Sequence, residues 1–253
     1  MSLARLVSWE SLDSKDSVLK SVRELYESTQ AVGERIPWEW IGRVGERRQA
    51  WRPGRWSPHL VIAAMRDEAG EIGDPIGFVH GAHLPNLGGY VCYLGVSPNA
   101  RGLGVSTYLF AQMARIMRAT AGAENTPLEY IFWESHRPAA DASQEEHDLW
   151  VARCRSFVRA GALWVEGIVC HTPAYDGSTQ PTLLELFVIP QERSLDEFDG
   201  EKLREIASNL LTEVYHIEPT HPWYRASLPE GVTPRLRPGL EAIGVSLDAA
   251  VGV

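Results

Sequence analysis

Three apolar, β-rich runs follow one another between residues 59 and 96, and the last leads through a glycine-bearing loop into a long amphipathic helix. HLVIAAMRD at 59–67 stops at the acidic turn DEAGEIGDP, PIGFVHGAHL at 75–84 stops at PNLGG, and YVCYLGV at 90–96 ends on SPNARGLGVS. Links this short join antiparallel neighbours, because a parallel pair needs a crossover of a dozen or more residues. The segment therefore predicts a three-stranded antiparallel meander. The helix after it carries Val105, Leu109, Met113, Ile116 and Thr120 at i+3/i+4 spacing, one buried face.

The rest of the chain reads as alternating strands and helices around this centre. Residues 3–9 (LARLVSW) form a candidate first strand, and Ser14–Ser28 has helical spacing in Val18, Leu19, Val22, Leu25 and Tyr26. Pro37 opens a second helix in WEWIGRVGERRQAW. LEYIFWE at 128–134 is a strand, Gln144–Ala160 a helix stopped by Gly161, and 162–170 and 182–190 two more strands. SLDE at 194–197 fits a capping box leading a helix with Leu203, Ile206, Leu210 and Val214 on one face. After Pro219 the chain is rich in Pro and Gly and reads as irregular.

Composition narrows the function classes. The 24 Lys+Arg against 33 Asp+Glu give a net charge of −9, which argues against nucleic acid as the main partner. No apolar run approaches the roughly 20 residues that span a bilayer, and MSLARLVSWESL has no signal-peptide core, so no membrane role is expected. Cys92, Cys154 and Cys170 form no CxxC and read as buried thiols of a cytoplasmic protein. His80 and His83 in VHGAH point to opposite faces of a strand, so no metal is expected there.

The chemistry concentrates in Val96-Ser-Pro-Asn-Ala-Arg101-Gly102-Leu103-Gly104-Val105-Ser106. A strand ends, glycines follow and a helix begins. Backbone N–H groups and the helix dipole at such a start bind phosphate or pyrophosphate, and glycine lets the diphosphate approach. No GK[ST] follows and G-x-G-x-x-G is absent, which excludes a Walker loop and a dinucleotide fingerprint.

This stretch resembles motif A of the GNAT N-acetyltransferase superfamily, Arg/Gln-x-x-Gly-x-Gly/Ala, with Arg101, Gly104 and Ser106 on the pattern positions. Ser106 departs from the Gly/Ala there but is small. Arg155-Ser-Phe157-Val-Arg-Ala-Gly161-Ala162 is similar to the superfamily's x-x-Tyr-x-x-x-Gly-Phe helix end, and the order of elements also matches. The resemblance covers about residues 3–190. It implies a mixed α/β layered fold with a mainly antiparallel central sheet flanked by helices. A domain over 1–190 would be followed by a C-terminal helix and irregular tail over 191–253.

The resemblance implies an N-acyltransferase that uses acetyl-CoA, or another acyl-CoA, as co-substrate. A primary amine of a small molecule or peptide would attack the thioester directly in a ternary complex. Backbone groups of Leu94 and Val96 would meet the pantetheine, and Arg101, Gly102, Leu103, Gly104, Val105 and Ser106 would cradle the pyrophosphate. Glu134 and His136, at the end of the 128–134 strand, are the candidate catalytic bases, with Glu134 pairing with Arg137 or capping a loop as its structural alternative. The superfamily's Tyr that protonates the leaving thiolate matches Phe157, which has no acidic proton. That departure keeps open a non-catalytic acyl-CoA-binding or scaffold protein.

Residues 34–56 place Arg35, Arg43, Arg47, Arg48, Arg52 and Arg55 against Glu34, Glu39 and Glu46, with Trp38, Trp40, Trp51 and Trp56 interleaved. Arg beside Trp suits a planar or anionic acceptor, or the acidic face of an acyl carrier protein as donor. Arg stems packed on Trp to seal a core edge are the structural alternative. Trp38, Arg43 and Trp133 are the candidate acceptor-binding residues. The stripe of the C-terminal helix must be covered, either by its own chain or by a second subunit in a homodimer.

Overall fold

The computed structural model describes residues 6–11, 16–44, 55–85, 87–191 and 194–244. They fall into two compact units, 1–128 and 129–253. Each unit is built on mainly antiparallel strands flanked by helices, the mixed α/β class expected from the sequence.

In the first unit, β1 (Leu6–Glu10), β2 (Ser57–Arg66), β3 (Ile72–Leu84) and β4 (Gly88–Val96) pair antiparallel in that order. The expected meander is β2–β3–β4, closed at one end by Leu87 N donating to Leu84 O at 3.0 Å. β2 over His59–Ala64 and β3 over Gly77–Leu84 are buried on both faces, which explains why HLVIAAM reads as a continuous apolar run. One face, with Leu60, Ile62, Phe78 and Tyr93, packs on α1 (Asp16–Thr29) and on α2 (Trp38–Gly42) through Val22, Leu25, Tyr26 and Ile41. The other takes α3 (Val105–Glu124), whose Val105, Leu109, Met113 and Ile116 are buried as the spacing predicts. A Cβ on Gly77 would lie 2.8 Å from Val105 Cγ1 and 3.0 Å from Leu109 Cδ1, so only glycine lets α3 start this close to β3. The register of β4 slips by one residue between His80 and Gly81 of β3, leaving Cys92 at a β-bulge.

In the second unit, the strand order is β5 (Tyr130–His136), β7 (Thr182–Pro190), β6 (Leu163–Thr172) and β8 (Arg235–Pro238), each pair antiparallel. α4 (Gln144–Arg159) starts at a capping box, in which Ser143 Oγ accepts from Glu146 N while Ser143 N donates to Glu146 Oε2 at 2.9 Å. It ends where Ala162 N returns to Phe157 O, with Gly161 at φ 88°.

Two readings of the C-terminal segment are corrected. SLDE closes only a single 3-10 turn, Leu195–Glu197, and α5 (Gly200–Asn209) has its own N-cap, Asp199, which accepts from Lys202 N at 2.8 Å. The segment after Pro219 is not irregular throughout: it forms α6 (Pro222–Ser227) and the edge strand β8. The stripe Leu203, Ile206 and Leu210 is buried, but the helix then passes into a π turn over Leu210–Val214. Leu211 takes the next buried place and Val214 is only half-buried. Among the described residues no helix is long and apolar enough to cross a membrane.

Candidate functional site

The loop singled out by sequence lies at the start of α3. Ser97 N donates to Ile76 O at 2.8 Å, ending the β3–β4 ladder, and Pro98–Ala100 make one 3-10 turn. Gly102 and Gly104 then take φ of 77° and 78°, values that L side chains rarely adopt. A Cβ on Gly102 would meet nothing within 4 Å, so glycine is required there by backbone conformation, over open space. Gly104 is the N-cap and has no side chain to bond the first turn; the helix ladder begins with Tyr108 N to Gly104 O at 3.0 Å. The first turn of any helix presents N–H groups without intrahelical acceptors. Arg101 and Gly102 are exposed, Leu103, Gly104 and Ser106 half-buried, and Val105 is anchored on β3. The six predicted cradle residues are thus one contiguous, anion-compatible helix start.

On β4, Cys92, Leu94 and Val96 are half-buried while Tyr93 and Gly95 are buried. The Leu94 carbonyl accepts from Gln30 Nε2 at 3.1 Å, a contact 64 residues away in sequence. Tyr93 donates its hydroxyl to Glu34 O at 2.6 Å and accepts from Ile36 N at 3.1 Å. Tyr26 donates to Ile36 O at 2.9 Å, and the two phenol rings meet edge to face at 5.1 Å. Burial raises the pKa of both phenols above the ordinary tyrosine value, so they act as neutral clamps on residues 34–36.

Of the candidate acceptor residues, Trp38 is half-buried against Tyr26, with ring centroids 6.0 Å apart, and Arg43 is exposed. Trp40 and Trp56 are the exposed tryptophans of this stretch among the described residues. Glu46, Arg47, Arg48, Trp51 and Arg52 lie outside the described residues. Trp133 is part of an aromatic core cluster. It is 3% exposed, stacked on Phe187 at 5.9 Å and edge-on to Phe157 at 5.2 Å. The strand period explains this, since it turns Trp133 away from the face that carries Glu134.

In the second unit, β5 pairs Glu134 with Leu186 and His136 with Leu184, while Cys170 of β6 pairs with Leu184. These side chains share one face. Glu134 is half-buried, and its Oε1 accepts from the hydroxyl of Tyr215, which follows the π turn. Glu134 does not pair with Arg137. Arg137 instead binds Glu185 on the opposite face, at 2.8 Å. His136 is half-buried and its carbonyl accepts from Arg153 Nη2 at 3.3 Å. Burial pushes the Cys154 thiol up to about 12. Cys170, fully enclosed, is raised well above the thiol range first by burial and then by Glu134 and Glu185. Neither is a nucleophile or acid near neutral pH. Phe157 packs 4.9 Å from Phe187 in the same aromatic group as Trp133. Among the described residues no group of three or more His, Cys, Asp or Glu could hold a metal ion.

The sequence profile of the Acetyltransferase (GNAT) family matches residues 19–155, more than half of the chain. The chain belongs to the GNAT acetyltransferase family. This GNAT protein is therefore an acyltransferase. Its fold is similar to that of a protein from Bacteroides thetaiotaomicron assigned as a GNAT-family acetyltransferase, with 18% identity, a TM-score of 0.51, and 85% of this chain and 99% of that one covered. Lower scores relate it to a protein from Desulfovibrio desulfuricans assigned to the same family (16% identity, TM-score 0.46, 73% and 98% covered). A phosphinothricin acetyltransferase from Sinorhizobium meliloti, solved with acetyl-CoA, gives 13% identity, a TM-score of 0.45, and 74% and 88% coverage. No curated protein matches the sequence significantly. The matched segment ends before β6, so Tyr215 and its π turn lie beyond it.

Proposed function

We propose that this GNAT protein transfers an acetyl or other acyl group from acyl-CoA to a primary amine of a small molecule or peptide, by direct attack in a ternary complex. The observation that carries the reading is the Arg101–Ser106 helix start, with two glycines at positive φ and an open side over Gly102. Those features fit a diphosphate, which the amides of residues 102–106 and the Arg101 guanidinium would hold. Backbone groups of Leu94 and Val96 would take the pantetheine. The co-substrate supplies an activated thioester carbonyl.

The chain's own contribution is proton management and placement. Glu134 takes the proton of the acceptor ammonium, so that the amine attacks in its neutral form. His136 is the second candidate for that step. Phe157 offers no proton to the departing thiolate, which is itself a fair leaving group near neutral pH. Exposed Arg43 and Trp40 are the groups offered here to a planar or anionic acceptor. Cys92, Cys154 and Cys170, not joined by a disulfide among the described residues, fit a reducing compartment such as the cytoplasm.

The test is ligand-dependent stability. Acetyl-CoA at a hundredfold excess over its Kd should stabilise the protein by about 2.7 kcal/mol, read as a rise in melting temperature. Gly104→Ala imposes backbone strain and should keep part of the rise, while Gly104→Glu adds charge and bulk and should abolish it. An undiminished rise in Gly104→Glu places the diphosphate elsewhere.

A further inference from the structure

The C-terminal segment leaves regular helix geometry just where it reaches Glu134. Thr212 Oγ1 donates back to Ser208 O at 3.0 Å, a bond that bends helices. The ladder then lengthens: Tyr215 N reaches Leu210 O at 3.3 Å and Ile217 N reaches Leu211 O at 2.9 Å. His216 follows at φ 54°, a left-handed conformation uncommon for any residue but glycine. π turns and left-handed non-glycine residues cost free energy and gather at functional sites. Their common product here is the placement of Tyr215, whose hydroxyl donates to Glu134 Oε1 across 81 residues of sequence.

We propose that Tyr215 is a positioning residue for Glu134, so that the C-terminal segment, beyond the family match, orients the carboxylate read as the base. This rests on the reading of Glu134 as the base. A carboxylate on a strand end has three rotatable bonds; a donor fixed on Oε1 selects one orientation, in which Oε2 is turned into the protein. Tyr215 keeps its own proton throughout, and one proton passes from ammonium to carboxylate. Among the described residues, the titratable and charged groups near Glu134 include Tyr215, Cys170 of β6, His136 of its own strand and Arg153, which donates to the His136 carbonyl at 3.3 Å, while β7 presents Leu184 and Leu186. A hydroxyl bonded to the charged form of a carboxylate favours that form.

The experiment compares the full-length protein with Tyr215→Phe, which keeps the ring and removes the hydroxyl. The carbon-13 carboxyl signal of Glu134, assigned by its loss in Glu134→Gln, should titrate at higher pH in Tyr215→Phe, with little change in melting temperature. An unmoved midpoint overturns the proposal. With acetyl-CoA and a panel of primary amines, CoA release by Tyr215→Phe should show kcat lowered about 10- to 100-fold at unchanged KM for acetyl-CoA. Added to Glu134→Gln, the same substitution should cost nothing more. Full additivity of the two losses also overturns it. A moved midpoint beside an undiminished rate in Glu134→Gln defeats the base reading instead, and leaves Tyr215 as a partner of a carboxylate with another role.

Discussion

Arg137 Nη1 donates to Glu185 Oε1 at 2.8 Å, and Trp164 Nε1 donates to the second carboxylate oxygen, also at 2.8 Å. Glu185 is 4% exposed, so this carboxylate is buried in β7 with a donor on each oxygen. Arg137 lies near the Trp164 ring, 5.8 Å from its centroid, and also donates to the carbonyl of Ala242. Arg137→Ala leaves a buried charge with one donor. Because the Arg137 side chain is 43% exposed, the loss is expected below the 3–5 kcal/mol of a fully buried pair, at about 1–3 kcal/mol. Urea unfolding checks this; an unchanged midpoint would mean that water replaces the guanidinium.

His83 sets a second expectation, on pH. It is fully buried on β3, with Nδ1 3.2 Å from Glu124 Oε2. Burial, and then His59, lower its pKa from 6.5 to about 4 despite that carboxylate. The unfolded chain binds this proton as pH falls through about 6.5, whereas the folded chain holds out until about 4. The contribution is therefore whole above the unfolded value and is lost as pH drops through this window, with a ceiling on the order of 3 kcal/mol. Glu124, raised by burial, works in the opposite sense and reduces the net loss. Stability measured from about pH 7 to about pH 4.5 should decline less steeply in His83→Gln. An identical decline in the variant would assign the slope to other groups.

The clamp on residues 34–36 predicts a local effect. Tyr93→Phe removes the donor to Glu34 O and the acceptor for Ile36 N, which should cost about 1–2 kcal/mol. If the α1–α2 loop borders the acceptor, KM for the amine should rise while stabilisation by acetyl-CoA persists. A variant with wild-type stability would show that the loop is held by Tyr26 alone.

What the sequence made legible was local. The meander and α3 follow from turn chemistry and a 3.6-residue period, and the Arg101–Ser106 loop is a contiguous motif. The helix over Gln144–Ala160 was equally legible, with Gly161 as its stop. β8 was not, because four residues bounded by Pro234 and Pro238 become a strand only by pairing with β6. SLDE satisfied a local rule, but Phe198 turns at ψ 66° and the helix needs a fresh cap. Trp133 and Glu134 could have been separated in advance, since neighbours on a strand cannot line the same face. Tyr215, 81 residues from Glu134, had no local signal before the fold joined them.

The last expectation concerns residues 191–253, which we propose to be a structural part of the protein rather than an appendage. Leu203, Ile206, Leu210 and Leu211 are each 0% exposed, and Ile217 is 4% exposed. Arg204 ties the segment together, donating to Leu228 O at 2.8 Å and to Pro229 O and Val232 O at 3.1 Å. β8 covers one edge of β6, with Val165 opposite Leu236, and His171 N donates to Ser227 Oγ at 2.8 Å. Truncation after residue 190 removes all of these together, leaves β6 as an open edge and uncovers a contiguous apolar face. The truncated chain should be insoluble or aggregate. Leu203→Ala samples the same seam without deleting it and should cost about 2–5 kcal/mol, read by urea unfolding. A soluble, monomeric truncation that still releases CoA from acetyl-CoA at the full-length rate would make the segment dispensable, and would remove Tyr215 from the site with it.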